Sequence, residues 1–87
     1  MRIDYSKKFL KKLEKSDKII RKMVFEKVSL YINDKFHPLL NNHTLHGEYE
    51  GCRSINITGD YRAIFRENKN RDIILFLLLG THGELYE

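Results

Sequence analysis

Residues 53–66, RSINITGDYRAIFR, alternate apolar and polar side chains along two segments separated by Gly59. Ile55 and Ile57 occupy apolar positions before the glycine, and Ala63 occupies one after it. Successive side chains of a strand point to opposite faces of a sheet, so this period of two predicts two β-strands that share one buried face. The glycine between them predicts a tight turn, and the segment is therefore expected to form a β-hairpin.

The register of this hairpin follows from the rule that directly opposed residues share a face. A two-residue loop would set Ile57 opposite Asp60 and mix apolar with charged side chains. A three-residue loop over residues 58–60 sets Ile57 opposite Tyr61, so we expect that loop. The apolar face then holds Ile55, Ile57, Tyr61, Ala63 and Phe65, and the polar face holds Ser54, Asn56, Arg62 and Arg66, with Asp60 at the turn.

Two further features complete the predicted sheet. Arg53 falls on the apolar side by parity, so it must lie at the rim or find a buried partner. Residues 73–79, IILFLLL, are apolar at every position and are followed by Gly80. Such a run is typical of an interior strand that is covered on both faces.

A helical hairpin is expected before the sheet. Residues 2–5 form a short extended start, and Ser6 is placed to cap a helix over KKFLKKLEK. Ser16 or Asp17 can cap a second helix, whose apolar stripe runs to about residue 33. Residues 34–52 show no clean period, and their apolar side chains predict a long loop that packs against the core.

The element order is therefore β-α-α-β-β-β, a helical hairpin packed on a small, mainly antiparallel sheet, in one α+β domain over residues 1–87. Hydrophobic residues make up 41% and charged residues 32%. This balance is typical of a folded domain rather than a disordered chain. The single cysteine, Cys52, can form neither an internal disulfide nor a cysteine-based zinc site. The longest apolar run has seven residues, whereas a membrane helix needs about 20, so we expect a cytoplasmic protein without membrane contact.

Charge is distributed unevenly along the chain. Residues 1–35 carry eleven lysines and arginines against five acidic residues, a net of +6, and residues 36–87 carry five against seven, a net of −2. A basic helical half indicates a polyanionic partner such as nucleic acid or an acidic protein, although a solvated helix surface has the same composition.

Histidines and arginines lie in the second half. They are His37, His43, His46 and His82, together with Arg53, Arg62 and Arg66, and Asp60 lies among them. Histidine transfers protons near neutral pH, and arginine binds phosphate while remaining charged. This set supplies the acid, base and cation that phosphodiester cleavage requires without a metal.

Two other chemistries are less well supported by the sequence. A zinc site could use His43 and His46 with His82 or Asp60, but this spacing is not specific to zinc and no cysteine assists, so we expect no metal and no cofactor. Nothing around Cys52 marks it as a nucleophile.

Residues 43–66, HTLHGEYEGCRSINITGDYRAIFR, and the closing GTHGELYE resemble the RelE/ParE superfamily of bacterial type II toxins, and the YafQ-like branch most closely. The matching positions are His43, Leu45, Gly47, Tyr49, Gly51, Arg53, Asp60, Tyr61, Ile64, Phe65, Gly80, Thr81 and His82. The resemblance implies a RelE-like fold and a toxin that cleaves mRNA in the ribosomal A site. In that reaction the 2′-hydroxyl of the RNA attacks the adjacent phosphate, and no metal is needed.

The resemblance also implies roles for individual residues. His43, Asp60 and His82 match positions assigned to catalysis, and Tyr86 matches a C-terminal aromatic residue of the branch. Arg62 matches a RelE-like arginine that contacts the scissile phosphate. His82 is then a general acid or base and Asp60 a base or an orienting group, with His43 or His46 as the second proton-transfer group.

One position departs from the branch pattern. Asn56 stands where the branch commonly has a histidine, and an amide can bind a phosphate or a base but cannot transfer protons at neutral pH. We assign it to substrate binding together with His46, Arg53, Arg66 and Tyr86.

The implied partners are a cognate antitoxin, mRNA and the ribosome, whose rRNA would be contacted by Lys7, Lys8, Lys11 and Lys12. Three alternatives remain open at this stage: a ParE-like inhibitor of DNA gyrase, a binding-only toxin impaired by Asn56, and an unrelated RNA-binding domain. The last would expose aromatic side chains for base stacking, whereas Tyr61 and Phe65 alternate toward the core.

Overall fold

Five strands form one open sheet in the computed structural model, which describes residues 1–86. The elements are β1 (Arg2–Tyr5), α1 (Lys7–Lys15), α2 (Lys18–Asn33), β2 (His43–Thr44), β3 (Arg53–Asn56), β4 (Tyr61–Asn68), β5 (Ile73–Thr81) and α3 (His82–Tyr86). The sheet order is β1-β5-β4-β3-β2; β1 runs parallel to β5, and the other neighbouring pairs are antiparallel. The expected α+β class is confirmed, and β2 and α3 are additions to the predicted order.

The predicted hairpin register is confirmed. Ile55 lies opposite Ala63, and the Ile57 amide donates to the Tyr61 carbonyl at 2.9 Å, which closes a loop over residues 58–60. Thr58 stabilises this loop because its Oγ1 accepts from the Tyr61 amide at 3.0 Å. The apolar face of the hairpin therefore joins the core under the helices.

The core consists mainly of aromatic and branched side chains between the two long helices and one face of the sheet. Tyr31 packs edge-on against Phe65 at 5.0 Å between ring centroids, and Phe9 and Phe65 lie 5.7 and 5.2 Å from Phe76. The Tyr31 hydroxyl donates to the Glu67 carboxylate at 2.7 Å. Burial of the hydroxyl raises the pKa of Tyr31, and the hydrogen bond to Glu67 raises it further. Aromatic pairs at these separations stabilise a core beyond the area that they bury.

Side-chain caps decide where the helices begin. The Ser6 hydroxyl accepts from the Phe9 amide at 3.0 Å and donates to the Leu77 carbonyl at 2.7 Å, which joins α1 to β5. Asp17, rather than Ser16, caps α2 by accepting from the Ile20 amide at 2.9 Å. Within residues 1–86 there is no helix whose length and apolar content would let it cross a membrane.

The prediction that β5 is covered on both faces needs correction. The strand is interior to the sheet, but burial alternates along it: Ile74, Phe76 and Leu79 are buried, whereas Leu75 and Leu78 are only half-buried. The helical hairpin covers one face of the sheet, and the far face receives only partial cover. An unbroken apolar run therefore does not distinguish a fully covered strand from a half-covered one.

The long loop is only partly packed against the core. It contains two single helical turns, Pro38–Leu40 and Gly47–Tyr49, on either side of β2. Leu40 is fully buried, as expected, but Phe36 and Leu39 are 61% and 63% exposed. The apolar content of residues 34–52 therefore overstated how much of the loop joins the core.

Replacement by alanine should affect stability strongly at the buried Phe76 and little at the exposed Phe25. Phe76→Ala removes a side chain with no solvent exposure and should lower the free energy of unfolding by about 3–5 kcal/mol. Phe25→Ala is the matched control, because Phe25 is 74% exposed. Its loss should change stability by no more than about 0.5 kcal/mol. Urea unfolding followed by circular dichroism measures both, and equal losses would contradict this assignment of the core.

Candidate active site

Several residues that the sequence analysis assigned to catalysis line one shallow cavity of about 310 Å³. Its lining consists of Asn41, His43, Leu45, Arg62, His82 and Tyr86. Cross-strand pairing places His43 opposite Ser54 and Arg62 opposite Asn56 on the polar face of the sheet. Residues from β2, β4 and α3 therefore meet at one end of the sheet.

Arg62 is held at the hairpin turn by backbone carbonyls. Its Nη1 donates to the carbonyls of Thr58 and Gly59, each at 3.1 Å, and to that of Tyr61 at 3.0 Å. An arginine has five N–H donors in a rigid fork, so anchoring through Nη1 fixes the direction of the remaining edge. The guanidinium is thereby oriented before any ligand arrives.

The His43 ring is oriented by a neighbouring carbonyl. Its Nδ1 lies 2.7 Å from the carbonyl oxygen of Asn41, whose backbone is left-handed with φ of 47°. A carbonyl only accepts, so Nδ1 must carry a proton in this contact. In the neutral ring this leaves Nε2 unprotonated, as a base requires.

His82 is the first residue of α3 and is exposed to solvent. Its backbone amide donates to the Asp60 carbonyl at 3.0 Å, which fixes the helix start to the hairpin turn. Its ring packs on that of Tyr86, with 4.7 Å between the centroids. Within residues 1–86 the Asp60 carboxylate makes no ion pair or hydrogen bond with a histidine, so the visible contribution of Asp60 is its carbonyl.

Two polar atoms on β3 and one on α3 are buried without a protein partner among residues 1–86. They are Ser54 Oγ, Asn56 Oδ1 and Tyr86 Oη. Unpaired buried polar atoms are unfavourable by about 1–3 kcal/mol each, and such exceptions often mark functional positions. Asn56, which pairs with Arg62 across the strands, and Tyr86, which lines the cavity, therefore each carry one buried polar atom without a protein partner.

The other predicted substrate-binding residues lie apart from this cavity. Arg53 confirms the parity argument: it faces the apolar side, donates to Asn42 Oδ1 at 2.7 Å and lies over the Phe36 ring at 5.6 Å. His46 is 84% exposed and lies 3.6 Å from Glu50. These two residues and Arg66 line a larger, adjacent cavity of about 690 Å³, and Leu45 lines both cavities.

The residues that hold α3 in place were not expected from the sequence. The Tyr49 hydroxyl donates to the Leu85 carbonyl at 2.7 Å, and its ring meets Tyr86 edge-on at 5.9 Å. Glu84 bonds to Thr81 and to Lys12. The spacing T-H-G-E at residues 81–84 is a capping-box signal that the sequence offered, whereas nothing local indicated Tyr49.

The predicted docking lysines differ in their surroundings. Lys7, Lys8 and Lys11 are exposed on α1, but Lys12 is half-buried and lies 2.8 Å from the Glu84 carboxylate. Two hydrogen bonds lower the pKa of Glu84 to about 2: the one from Lys12 has the larger effect, and the one from the Thr81 amide adds to it. Across residues 1–86 no three histidine, cysteine, aspartate or glutamate side chains are grouped to hold a metal ion.

Comparison with known proteins identifies similar chains. A family model described as the bacterial toxin YafQ of type II toxin–antitoxin systems matches residues 1–87. None of the curated proteins matches the chain at a significant level of similarity.

Solved structures share the fold. YafQ from E. coli strain BL21(DE3) superposes with a TM-score of 0.83 at 22% identity over 100% of both chains. A YoeB/ParE toxin from Agrobacterium tumefaciens superposes with a TM-score of 0.80 at 16% identity over 94% of this chain and 99% of that one. The E. coli DinJ–YafQ complex contains a chain with a TM-score of 0.75 at 22% identity over 100% of both chains.

The hydrogen bonds predict opposite neutral tautomers for two histidines. His43 Nδ1 faces a carbonyl and should carry the proton, whereas His37 Nδ1 accepts from the Leu39 amide at 3.1 Å and should not. Long-range ¹H–¹⁵N NMR correlation at a pH where both rings are neutral distinguishes the two forms. An Nε2–H tautomer at His43 would remove the argument that its Nε2 is available as a base.

Proposed function

The chain belongs to the YafQ family of bacterial type II toxin–antitoxin toxins, and from that premise we propose that it is an endoribonuclease that cleaves mRNA on the ribosome. The reaction is an attack by the 2′-hydroxyl of the RNA on the adjacent phosphate. The P–O5′ bond breaks, and a 2′,3′-cyclic phosphate and a 5′-hydroxyl are left. The reaction requires one base, one acid and a cation near the phosphate, and no metal takes part.

The observation that carries this proposal is the meeting of His43, Arg62 and His82 in one cavity. Each comes from a different element, and two of the three are oriented by backbone hydrogen bonds independent of any substrate. Groups that are placed before the substrate binds stabilise a transition state without reorganising during the reaction.

The proposed roles follow from these contacts. His43 Nε2 takes the proton of the 2′-hydroxyl because Nδ1 is occupied by the Asn41 carbonyl. His82, in its imidazolium form, returns a proton to the departing 5′-oxygen. Arg62 binds the scissile phosphate and offsets the negative charge that accumulates on it.

Three further residues support the site. Asp60 orients His82, because its backbone carbonyl accepts a hydrogen bond from the His82 amide at 3.0 Å. Tyr86 packs on the His82 ring, and Asn56 offers an amide beside Arg62 for a phosphate or a base. An amide at position 56 leaves proton transfer to the two histidines of the cavity.

The adjacent larger cavity is proposed to bind nucleotides that flank the cleaved bond. His46, Arg53 and Arg66 line it, and Leu45 lines both this cavity and the proposed catalytic one. Cations in this position contact the RNA backbone without reading its sequence.

A cognate antitoxin is the proposed protein partner. The relative from E. coli is known in complex with DinJ, and the net +6 of residues 1–35 suits an acidic protein as well as RNA. The proposed substrate, ribosome-bound mRNA, places the toxin in the cytoplasm.

Cleavage of ribosome-bound mRNA by purified variants tests the proposed roles. His82→Ala and Arg62→Ala should each reduce the cleavage rate by about a hundredfold to ten-thousandfold, the range for loss of a proton-transfer or charge-stabilising group. His37→Ala is the control, because His37 is not among the residues that line the cavity and its ring accepts a hydrogen bond from the Leu39 amide. Undiminished cleavage by both variants would refute the roles, and inhibition of gyrase supercoiling without cut mRNA would favour the ParE-like alternative.

Docking on rRNA is tested by the salt dependence of ribosome binding. Replacing Lys8 and Lys11 with glutamine should make the negative slope of log affinity against log salt shallower by about 1–2, because each phosphate contact contributes about 0.7–0.9 to its magnitude. A matched double variant at Lys18 and Lys22 removes equal charge from α2 and should leave the slope unchanged. Equal slopes for the two double variants would contradict docking through α1.

A further inference from the structure

Helix α3 carries His82 and Tyr86 but is too short to be stable alone. It has five residues, His82–Tyr86. Isolated helices of fewer than about 15 residues are marginal in water, because the first turn is costly to form. The position of His82 therefore depends on the contacts that α3 makes with the rest of the chain.

A reciprocal pair of hydrogen bonds closes the first turn of α3. Glu84 Oε1 accepts from the Thr81 amide at 2.8 Å, and the Glu84 amide donates to Thr81 Oγ1 at 3.2 Å. A Cβ atom at Gly80 would lie 3.1 Å from Glu84 Oε1, so the glycine leaves room for the carboxylate. This is a capping box, with Thr81 as the N-cap residue.

The second oxygen of the same carboxylate connects α3 to α1. Glu84 Oε2 lies 2.8 Å from Lys12 Nζ, and the side chains of Lys12 and Glu84 are 33% and 48% exposed. One carboxylate thus holds the start of α3 with one oxygen and the helical hairpin with the other. At the opposite end of α3, the Tyr49 hydroxyl donates to the Leu85 carbonyl.

We propose that Lys12 and Glu84 are positioning residues that hold His82 in the cavity, and that Lys12 serves this purpose rather than docking on rRNA. The catalytic part of this proposal rests on the proposed nuclease function. Lys12 differs from Lys7, Lys8 and Lys11 because it already pairs with a carboxylate and is half-buried.

The state of Glu84 defines the conditions for the test. Its pKa is about 2 in the folded chain against an ordinary value of 4.5. The stability that the ionised carboxylate adds to the folded chain is therefore complete above about pH 4.5 and is lost as the pH falls toward 2. Experiments between pH 6 and 8 therefore keep the Glu84 carboxylate ionised in both the folded and the unfolded chain. In that pH range, any effect of a substitution comes from the lost contact.

Hydrogen exchange of the α3 amides in the free toxin tests positioning without requiring cleavage. Lys12→Met and Glu84→Gln should each speed exchange by about two- to fivefold, the effect of one exposed ion pair. Glutamine can still accept from the Thr81 amide, so that variant removes the charge and keeps the capping box. The double variant should exchange no faster than either single variant, because both remove the same contact.

Lys7→Met and Lys12→Arg are the controls for exchange. Lys7→Met removes an equal charge from α1, and Lys12→Arg retains the pair, so both should exchange like the wild type. Unchanged exchange in Lys12→Met and Glu84→Gln, or additive effects in the double variant, would overturn the proposal.

Steady-state cleavage separates positioning from docking. Lys12→Met should lower kcat with little change in KM, and Lys12→Arg should restore kcat, because a displaced His82 slows the chemical step. A raised KM with unchanged kcat would overturn the proposal and return Lys12 to the docking surface. If the wild type does not cleave mRNA, the nuclease proposal fails, and the exchange data still decide whether Lys12 and Glu84 hold α3.

Discussion

Pairing between β3 and β4 is the constraint on which both the core and the candidate site depend. Ile55 opposite Ala63 puts apolar side chains under the helices, and the next pair, Asn56 opposite Arg62, then faces the other way. A slip of β4 by one residue against β3 would turn its side chains to the opposite faces of the sheet, burying Arg62 and exposing Ala63. The requirement that apolar side chains face the core therefore also sets the direction of the Arg62 side chain.

The candidate site combines a rigid part with a dependent part. His43 and Arg62 lie on paired strands, and backbone carbonyls orient both side chains. His82 lies on a short helix that is held by a capping box, an ion pair and one tyrosine hydroxyl. Local stability is not uniform in such an arrangement, and the element with the fewest buried contacts opens most readily.

Much of this arrangement could be read from the chain because it follows from local periodicity. The alternation across Gly59 predicted the register, and parity predicted that Arg53 needs a partner, which proved to be Asn42 and the Phe36 ring. The resemblance to known toxins assigned His43, Asp60, Arg62 and His82 to catalysis; His43, Arg62 and His82 line one cavity, and Asp60 is not among the lining residues. Cover on the far face of β5 was overestimated, since composition does not reveal what lies above a strand.

By itself the sequence determined four of the five strands, the hairpin register, Ser6 as the cap of the first helix with Ser16 or Asp17 as the cap of the second, and the division between a basic half and a histidine-rich half. These features are local, because they depend on the period of the backbone and on neighbours within a few residues. The tertiary structure alone decided that Lys12 meets Glu84, 72 positions away, and that Tyr49 meets Leu85. Such contacts form only after the sheet has brought distant segments together. The sequence alone therefore does not distinguish a solvent-exposed lysine from one that, like Lys12, forms an ion pair with a distant residue.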